Sequence, residues 1–288
     1  MSLIKPSFST GYAKNASESA NPNLWKGLVG AWMPSFGVTG NTLRDVSGNG
    51  NDGALTNMDA ASDWVGTSKG LALDFDGYDD FILCQNSNSL EDAGKSLTVS
   101  FNSKIRDTGD FRILDKRGLG ALGTVRGWQI SYAFGSWVNV LIDGGSNTYV
   151  RVSSSDTSLN VLRDNQWHHG VMVWDNPNQD LFFYVDGKKI KPLLQKSGIV
   201  NSVSNSLNLH FGGAGTWAAT GTTQRLDGQI ASCGIWNRVL SPTEIKQLYV
   251  DSLAPFRKKQ RVSVAVPAAV APSATYHPLR SLAHPLEQ

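Results

Sequence analysis

Four glutamates stand in this chain of 288 residues: Glu18, Glu91, Glu244 and Glu287. Two lie in or near the chain ends, and Glu244 falls where a helix cap belongs. Glu91 is followed by Asp92-Ala93-Gly94, so no carboxylate stands two residues on, where strand alternation would put it on the same face as a paired acid–base site needs. The histidine pair His168-His169 sits at a strand entry, where alternation sends one ring into the fold and one out. That placement reads as packing rather than proton transfer. A Gly-x-Ser-x-Gly elbow, a phosphate loop, zinc-ligand spacing and a dinucleotide fingerprint are all missing from the sequence. No enzyme is expected.

Binding chemistry has better candidates. A flat aromatic ring matches the apolar face of a sugar. Trp137, Trp217 and Tyr78 lie in or beside Gly/Ser-rich stretches, whereas Trp32, Trp167, Trp174 and Trp236 fall in strand-like runs and read as core. The basic run Arg257, Lys258, Lys259 and Arg261 has no interleaved aromatics, a poor signal for nucleic acid. Docking on an acidic neighbouring subunit is the favoured reading. Val262, Val264 and Val266 alternate just beyond it and suit an edge strand added to another surface. Cys84 and Cys233 each sit in an apolar run, as two buried thiols or as one bridge between facing strands.

The elements that must position these residues are short. Charged residues make up 17% of the chain, Gly reaches 29 and Trp nine. Apolar runs of four to seven residues recur from Leu24 onward, among them Leu28–Trp32, Leu71–Phe75, Leu97–Phe101, Trp128–Phe134, Trp137–Ile142, His169–Trp174 and Ile230–Trp236. Gly, Asn, Asp and Ser clusters separate them, the pattern of an all-β sandwich. Asp186-Gly187 is expected as a two-residue hairpin turn, and Asp143-Gly144-Gly145 as another. One helix is signalled by Ser241-Pro242-Thr243-Glu244, a capping box with proline at the first helical position. Residues 1–23 and 257–288 break the strand pattern and read as tails around a body spanning 24–256. The tails carry net charges of +1 and +4 against +2 for the chain, leaving about −3 for the body. The N-terminal residues hold no apolar run of signal-peptide length, and no stretch suits a bilayer span.

Four blocks in order complete the reading: Gly27–Leu55, Leu71–Ile82 followed by Leu97–Phe101, Asn165–Ile190 and Leu226–Tyr249. Their sequence and spacing resemble the laminin-G-like jelly-roll family, a branch of the concanavalin-A-like lectin/glucanase fold. The resemblance implies a two-sheet antiparallel jelly-roll sandwich with one short C-terminal helix. Glucanases of that fold carry Glu-x-Asp-x-x-Glu on one strand, and this chain lacks it. Many relatives hold Ca²⁺ at a sandwich edge through carboxylates and loop carbonyls. The residues that this implies here are Asp45, Asn49 and Asp52 in one loop and Asp76, Asp79 and Asp80 in another. Against it, the acidic pair of the family after the Gly-x-Ile step is Ala231-Ser232 in this chain.

The unpatterned start of the chain, LWKGLVGAW (residues 24–32) and LYVDSLAPFRKKQRVSV (residues 248–264) together also resemble proteins of tailed bacteriophages. This implies a non-enzymatic virion structural protein, as head decoration, fibre or tail component, made in the host cytoplasm and carried on the extracellular particle. Its partners would be capsid or tail subunits and further copies of itself, not nucleic acid or membrane. The alternative expectation is a carbohydrate-binding module for host-surface glycans, with or without Ca²⁺; a glycoside hydrolase ranks third.

Overall fold

The computed structural model describes residues 17–91, 95–106, 109–117, 121–133, 137–154, 161–190, 193–213 and 224–257. All belong to one unit, Met1–Lys258. Two antiparallel sheets face each other. The first has eight strands. Its order is β14 (Lys188–Ile190), β13 (Asp180–Val185), β12 (Trp167–Asp175), β7 (Leu97–Ile105), β17 (Asp227–Trp236), β5 (Gly70–Asp76) and β4 (Trp64–Thr67). The eighth strand, β1 (Leu28–Trp32), pairs with the far half of β17, past a bulge between Ile230 and Ser232. The second sheet has nine strands. They run β15 (Leu193–Ser197), β11 (Thr148–Ser154), β10 (Trp137–Gly145), β9 (Arg126–Ala133), β8 (Phe111–Asp115), β16 (Leu209–Phe211), β6 (Phe81–Cys84), β3 (Gly53–Thr56) and β2 (Thr42–Leu43). Neighbours distant in sequence, such as β7 beside β17 and β6 beside β16, give the jelly-roll crossovers expected from the sequence.

Alternation decides what lies between the sheets. Val99 and Phe101 of β7, Met172 and Trp174 of β12, Ile130 of β9, Val140 and Ile142 of β10, and Val150 and Val152 of β11 all point inward and are buried. Each large apolar side chain taken from water contributes roughly 1.5–3 kcal/mol. Gly170 is required here: a Cβ on it would lie 2.3 Å from the Phe101 ring. Cys84 and Cys233 are buried free thiols in this same core.

A second apolar layer seals the outside of the first sheet. Val171, Val173 and Tyr184 point outward there and are covered by α1 (Pro22–Trp25), α2 (Pro242–Val250) and the 3₁₀ turn Ala254–Phe256. The helix α2 begins with the expected capping box, Ser241 and Glu244 each bonding the backbone of the other. Three contacts hold α1 down. Trp236 Nε1 donates to the Leu24 carbonyl at 2.7 Å, Trp25 Nε1 to Pro255 at 2.8 Å, and the Trp25 and Phe256 rings meet edge to face. The packing therefore starts before Leu24: Ser17 is buried as well.

This cover also explains the histidine pair. His169 is on the outward side of β12, as alternation requires, but lies under α2 against Tyr249 and is only 1% exposed. Its Nε2 meets Ser100 Oγ at 2.8 Å. His168 is buried too, bridging Asp186 at 2.8 Å and Asp164 at 3.1 Å. Asp186 and Gly187 both take positive φ, 50° and 73°, and form the expected hairpin turn. The other expected turn is displaced. Asp143, Gly144 and Gly145 remain in β10, and Ser146 and Asn147 turn the chain with φ of 51° and 62°.

Candidate functional site

The outer face of the second sheet has no apolar layer among the described residues. Polar side chains occupy its central strands instead. Arg112 stands on β8, Gln129 and Ser131 on β9, Asn139 on β10 and Arg151 on β11, with Gln224 beside them. All point away from the core because their neighbours in each strand point into it. Together they line a cleft of about 180 Å³. Hydrogen bonds run across it from strand to strand. Arg112 Nη1 donates to Gln129 Oε1 at 3.0 Å and Arg112 Nε to Gln224 Oε1 at 3.0 Å. Gln129 Nε2 donates to Ser131 Oγ at 3.1 Å, and Arg151 Nε to Asn139 Oδ1 at 2.7 Å. Such a network fixes planar amide and guanidinium groups before any ligand arrives, which lowers the ordering cost of binding.

Two buried carboxylates pair with arginines that line the cleft but do not line it themselves. Asp115 pairs with Arg112. Asp143 Oδ2 accepts from Arg117 Nε at 3.0 Å, Arg117 Nη2 at 2.8 Å and the Gly123 amide at 2.9 Å, while its Oδ1 accepts from the Gly145 amide. Burial, and then the like charge of Arg117, lowers the Arg112 pKa to about 10. Next to this end of the cleft, His210 of β16 and Phe81 of β6 share the outer face. The Arg225 guanidinium lies 4.5 Å from the Phe81 ring centre. Burial, then the charges of Arg225, Arg112 and Lys116, pushes the His210 pKa down to about 4. The amine of Lys116 is fully engaged, donating to Leu207 O at 2.6 Å and Asn86 Oδ1 at 2.8 Å.

Comparison with known proteins places this architecture. A family model described as the concanavalin A-like lectin/glucanases superfamily matches residues 75–246. The chain belongs to the concanavalin A-like lectin/glucanase superfamily. No curated protein matches it by sequence. Among solved structures, it is similar to the binding domain of Paraclostridial Mosquitocidal Protein 1, with a TM-score of 0.56 and 16% identity over 78% of this chain and 52% of that one. It is also similar to botulinum neurotoxin type C, whose cell entry depends on interaction with two ganglioside molecules (TM-score 0.57, 17% identity, 81% of this chain and 53% of that one). A third is the binding domain of botulinum neurotoxin DC in complex with rat synaptotagmin II (TM-score 0.53, 17% identity, 79% and 52%). This superfamily member thus spans about half the length of those structures. At these identities the likeness is one of fold.

The residues that the superfamily resemblance implied for Ca²⁺ fall into two sets. Asp45, Asn49 and Asp52 share one loop, and they bond within it and to β1. The two Asp45 oxygens accept the Ala31, Ser47 and Asn51 amides, each at 2.9 Å. Asn49 Nδ2 donates to Leu28 O and Val29 O, and Asp52 takes Arg44 Nη1 at 2.6 Å and the Asp45 amide at 2.8 Å. Asp76, Asp79 and Asp80, at the β5–β6 turn, instead offer carboxylate oxygens all within 4.8 Å of one another. Burial raises the Asp80 pKa to about 6, with the carboxylates of Asp76, Asp63 and Asp79 adding to it. Clustered hard oxygens are the donor type that a divalent cation such as Ca²⁺ takes. Ser232, which stands in the superfamily's acidic position, accepts from Asn102 Nδ2 at 2.9 Å.

Of the aromatic candidates, Tyr78 is 72% exposed on that same turn. Trp137 opens β10, and Trp217 lies outside the described residues. Arg257 is spent locally: Nε and Nη2 clamp both oxygens of Asp251 at 2.6 and 3.0 Å. Lys258, Lys259, Arg261, Val262, Val264 and Val266 lie outside the described residues. The sequence reading did not single out Arg112, Gln129, Asn139 or Arg151. Their signal was present as polar residues alternating with apolar ones in WQISY, VNVLI and YVRV, but only strand pairing brings them together.

Proposed function

We propose that this protein is a non-catalytic glycan-binding sandwich whose ligand sits in the cleft on the outer face of the second sheet. The observation that carries this reading is the cross-strand row Arg112–Gln129 and Asn139–Arg151. It presents fixed planar hydrogen-bonding groups in a cleft on the face that no apolar layer covers among the described residues. Membership of a lectin/glucanase superfamily and likeness to toxin binding domains support it. Hydrolysis is not favoured, because the nearest carboxylates, Asp115 and Asp143, are buried and ion-paired. A Ca²⁺ ion at Asp76, Asp79 and Asp80 would serve to neutralise that turn. A glycan array tests the reading: binding that the double variant Gln129→Ala/Asn139→Ala loses supports it, and no binding to any glycan sinks it.

A second reading concerns where the module is displayed. It is carried on a bacteriophage particle and held by the segments that flank residues 17–257. Asn21 and Arg257 support this, since they meet on the sealed face of the sandwich, opposite the cleft. Incorporation into particles after removal of residues 1–16 or 258–288 is the check, and unchanged incorporation of both truncations refutes it.

A further inference from the structure

We infer that Lys116 and Asn86 join in an intramolecular amide bond, formed by the protein itself with Glu91 as proton carrier and with loss of ammonia. Hydrogen bonds already link the three side chains. Lys116 Nζ donates to Asn86 Oδ1 at 2.8 Å, and Asn86 Nδ2 donates to Glu91 Oε1 at 2.5 Å. Strand order brings them together. Asn86 stands just past the end of β6 and Lys116 just past the end of β8, and β16 lies between these strands in the second sheet. Glu91 ends the helical turn Asn88–Glu91, and the Leu90 and Glu91 amides bond back to the Ser87 carbonyl. The Asn86 backbone N–H donates to Asn208 Oδ1 at 2.9 Å, which fixes the start of this segment.

A buried ammonium is ordinarily paired with a carboxylate. Lys116 is only 2% exposed, yet its bonds run to neutral oxygens: Leu207 O at 2.6 Å, Asn86 Oδ1 at 2.8 Å, and Asn205 O and Oδ1 at 3.4 Å. Burial, opposed by the charge of Glu91, lowers its pKa to about 8. About a tenth of the amine is therefore neutral near pH 7 and carries a lone pair. The nearby carboxylate, Glu91, is placed on the nitrogen that has to leave. Neutral Nζ attacks Asn86 Cγ and the new C–N bond forms. Glu91 takes a proton from Nζ and returns it to Nδ2. The Cγ–Nδ2 bond then breaks and ammonia departs. Nζ has exchanged one hydrogen for the acyl group, and no oxidant or other reactant is consumed. Holding amine and amide in contact replaces the high concentration that so poor an acyl donor would otherwise need. The product ties β6 to β8 across β16, in the sheet that bears the cleft.

Mass spectrometry of the intact 288-residue chain tests this. The main species should be lighter than the sequence by one ammonia, about 17 Da. A protease digest should yield one branched peptide that joins the segments around Asn86 and Lys116. Lys116→Arg and Asn86→Ala should each show the full sequence mass. Glu91→Gln still accepts from Asn86 Nδ2 but cannot carry the proton, so it should also keep the full mass while its circular dichroism matches the wild type. Full sequence mass as the main species of folded wild type after prolonged incubation overturns the inference. So does the same loss mapped to Asn49-Gly50, where a backbone succinimide would release ammonia too, or a loss that persists in Lys116→Arg. Undiminished cross-linking in Glu91→Gln would likewise overturn the assignment of the proton carrier.

Discussion

The side-chain amide of Asn21 donates to the backbone carbonyl of Arg257 at 2.7 Å and to that of Pro255 at 3.2 Å, joining residues 236 positions apart. Trp25 reinforces the clasp through its own bond to Pro255. The two ends of the body are thereby closed over the first sheet, and the apolar layer beneath them is kept from water. Asn21→Ala removes both amide bonds from a half-buried site. It should cost about 1–2 kcal/mol and lower the melting temperature by several degrees. Thermal unfolding checks the first part, and glycan affinity, which the proposal assigns to the opposite face, should not change.

The capping box sets a second expectation. Ser241 Oγ accepts from the Glu244 amide, while Glu244 accepts from the Ser241 amide at 2.8 Å and pairs with Arg238. Ser241→Ala leaves helix donors without partners at the start of α2 and should destabilise the protein by about 1 kcal/mol. Glu244→Gln keeps the shape of the box but loses the Arg238 pair, so denaturant midpoints should rank wild type above both variants.

Acid should loosen the structure through its buried imidazoles. Burial holds the folded pKa of His169 at about 4, with the nearby Asp186 charge opposing the shift; its ordinary value is 6.5. Between those values the unfolded chain binds more protons than the folded one, so stability rises with pH from about 4 to 6.5 and falls as pH drops. The full effect of His169 is about 3 kcal/mol by linkage. Asp80 works in the opposite sense below pH 6, because its folded pKa is raised. Urea midpoints between pH 4 and 7 should therefore fall toward acid in the wild type, and His169→Gln should flatten that slope.

The β5–β6 turn should respond to divalent cations. Ca²⁺ held by the clustered oxygens of Asp76, Asp79 and Asp80 would relieve the charge repulsion that, after burial, raises the Asp80 pKa. Millimolar Ca²⁺ should raise the melting temperature at pH 7.5. The shift should vanish near pH 5, where a proton occupies Asp80, and in Asp80→Asn. An equal shift in that variant would place the ion elsewhere.

Local rules carried the sequence reading far. The capping box at Ser241 and the hairpin at Asp186-Gly187 depend on a few adjacent residues, and both stand where the sequence puts them. The turn expected at Asp143-Gly144-Gly145 moved because longer-range bonds won. Asp143 is drawn into β10 by Arg117 and the Gly123 amide, leaving Ser146 and Asn147 to reverse the chain. The cleft was illegible for the same reason. Each of Arg112, Asn139 and Arg151 is an ordinary outward residue of its own strand, and they form one site only when β8, β9, β10 and β11 pair. The clustering of Asp76, Asp79 and Asp80 was legible because the three lie close together in the chain.

The most direct measurement is a calorimetric titration of the strongest glycan from the array into wild type and into Gln129→Ala/Asn139→Ala, with folding checked by circular dichroism. The double variant deletes the amides that present Arg112 and Arg151 to the cleft. The account predicts at least about tenfold weaker binding, equivalent to about 1.4 kcal/mol or more, by a folded protein. Unchanged affinity in the folded double variant, or affinity lost instead in Tyr249→Ala on the sealed face, would contradict it.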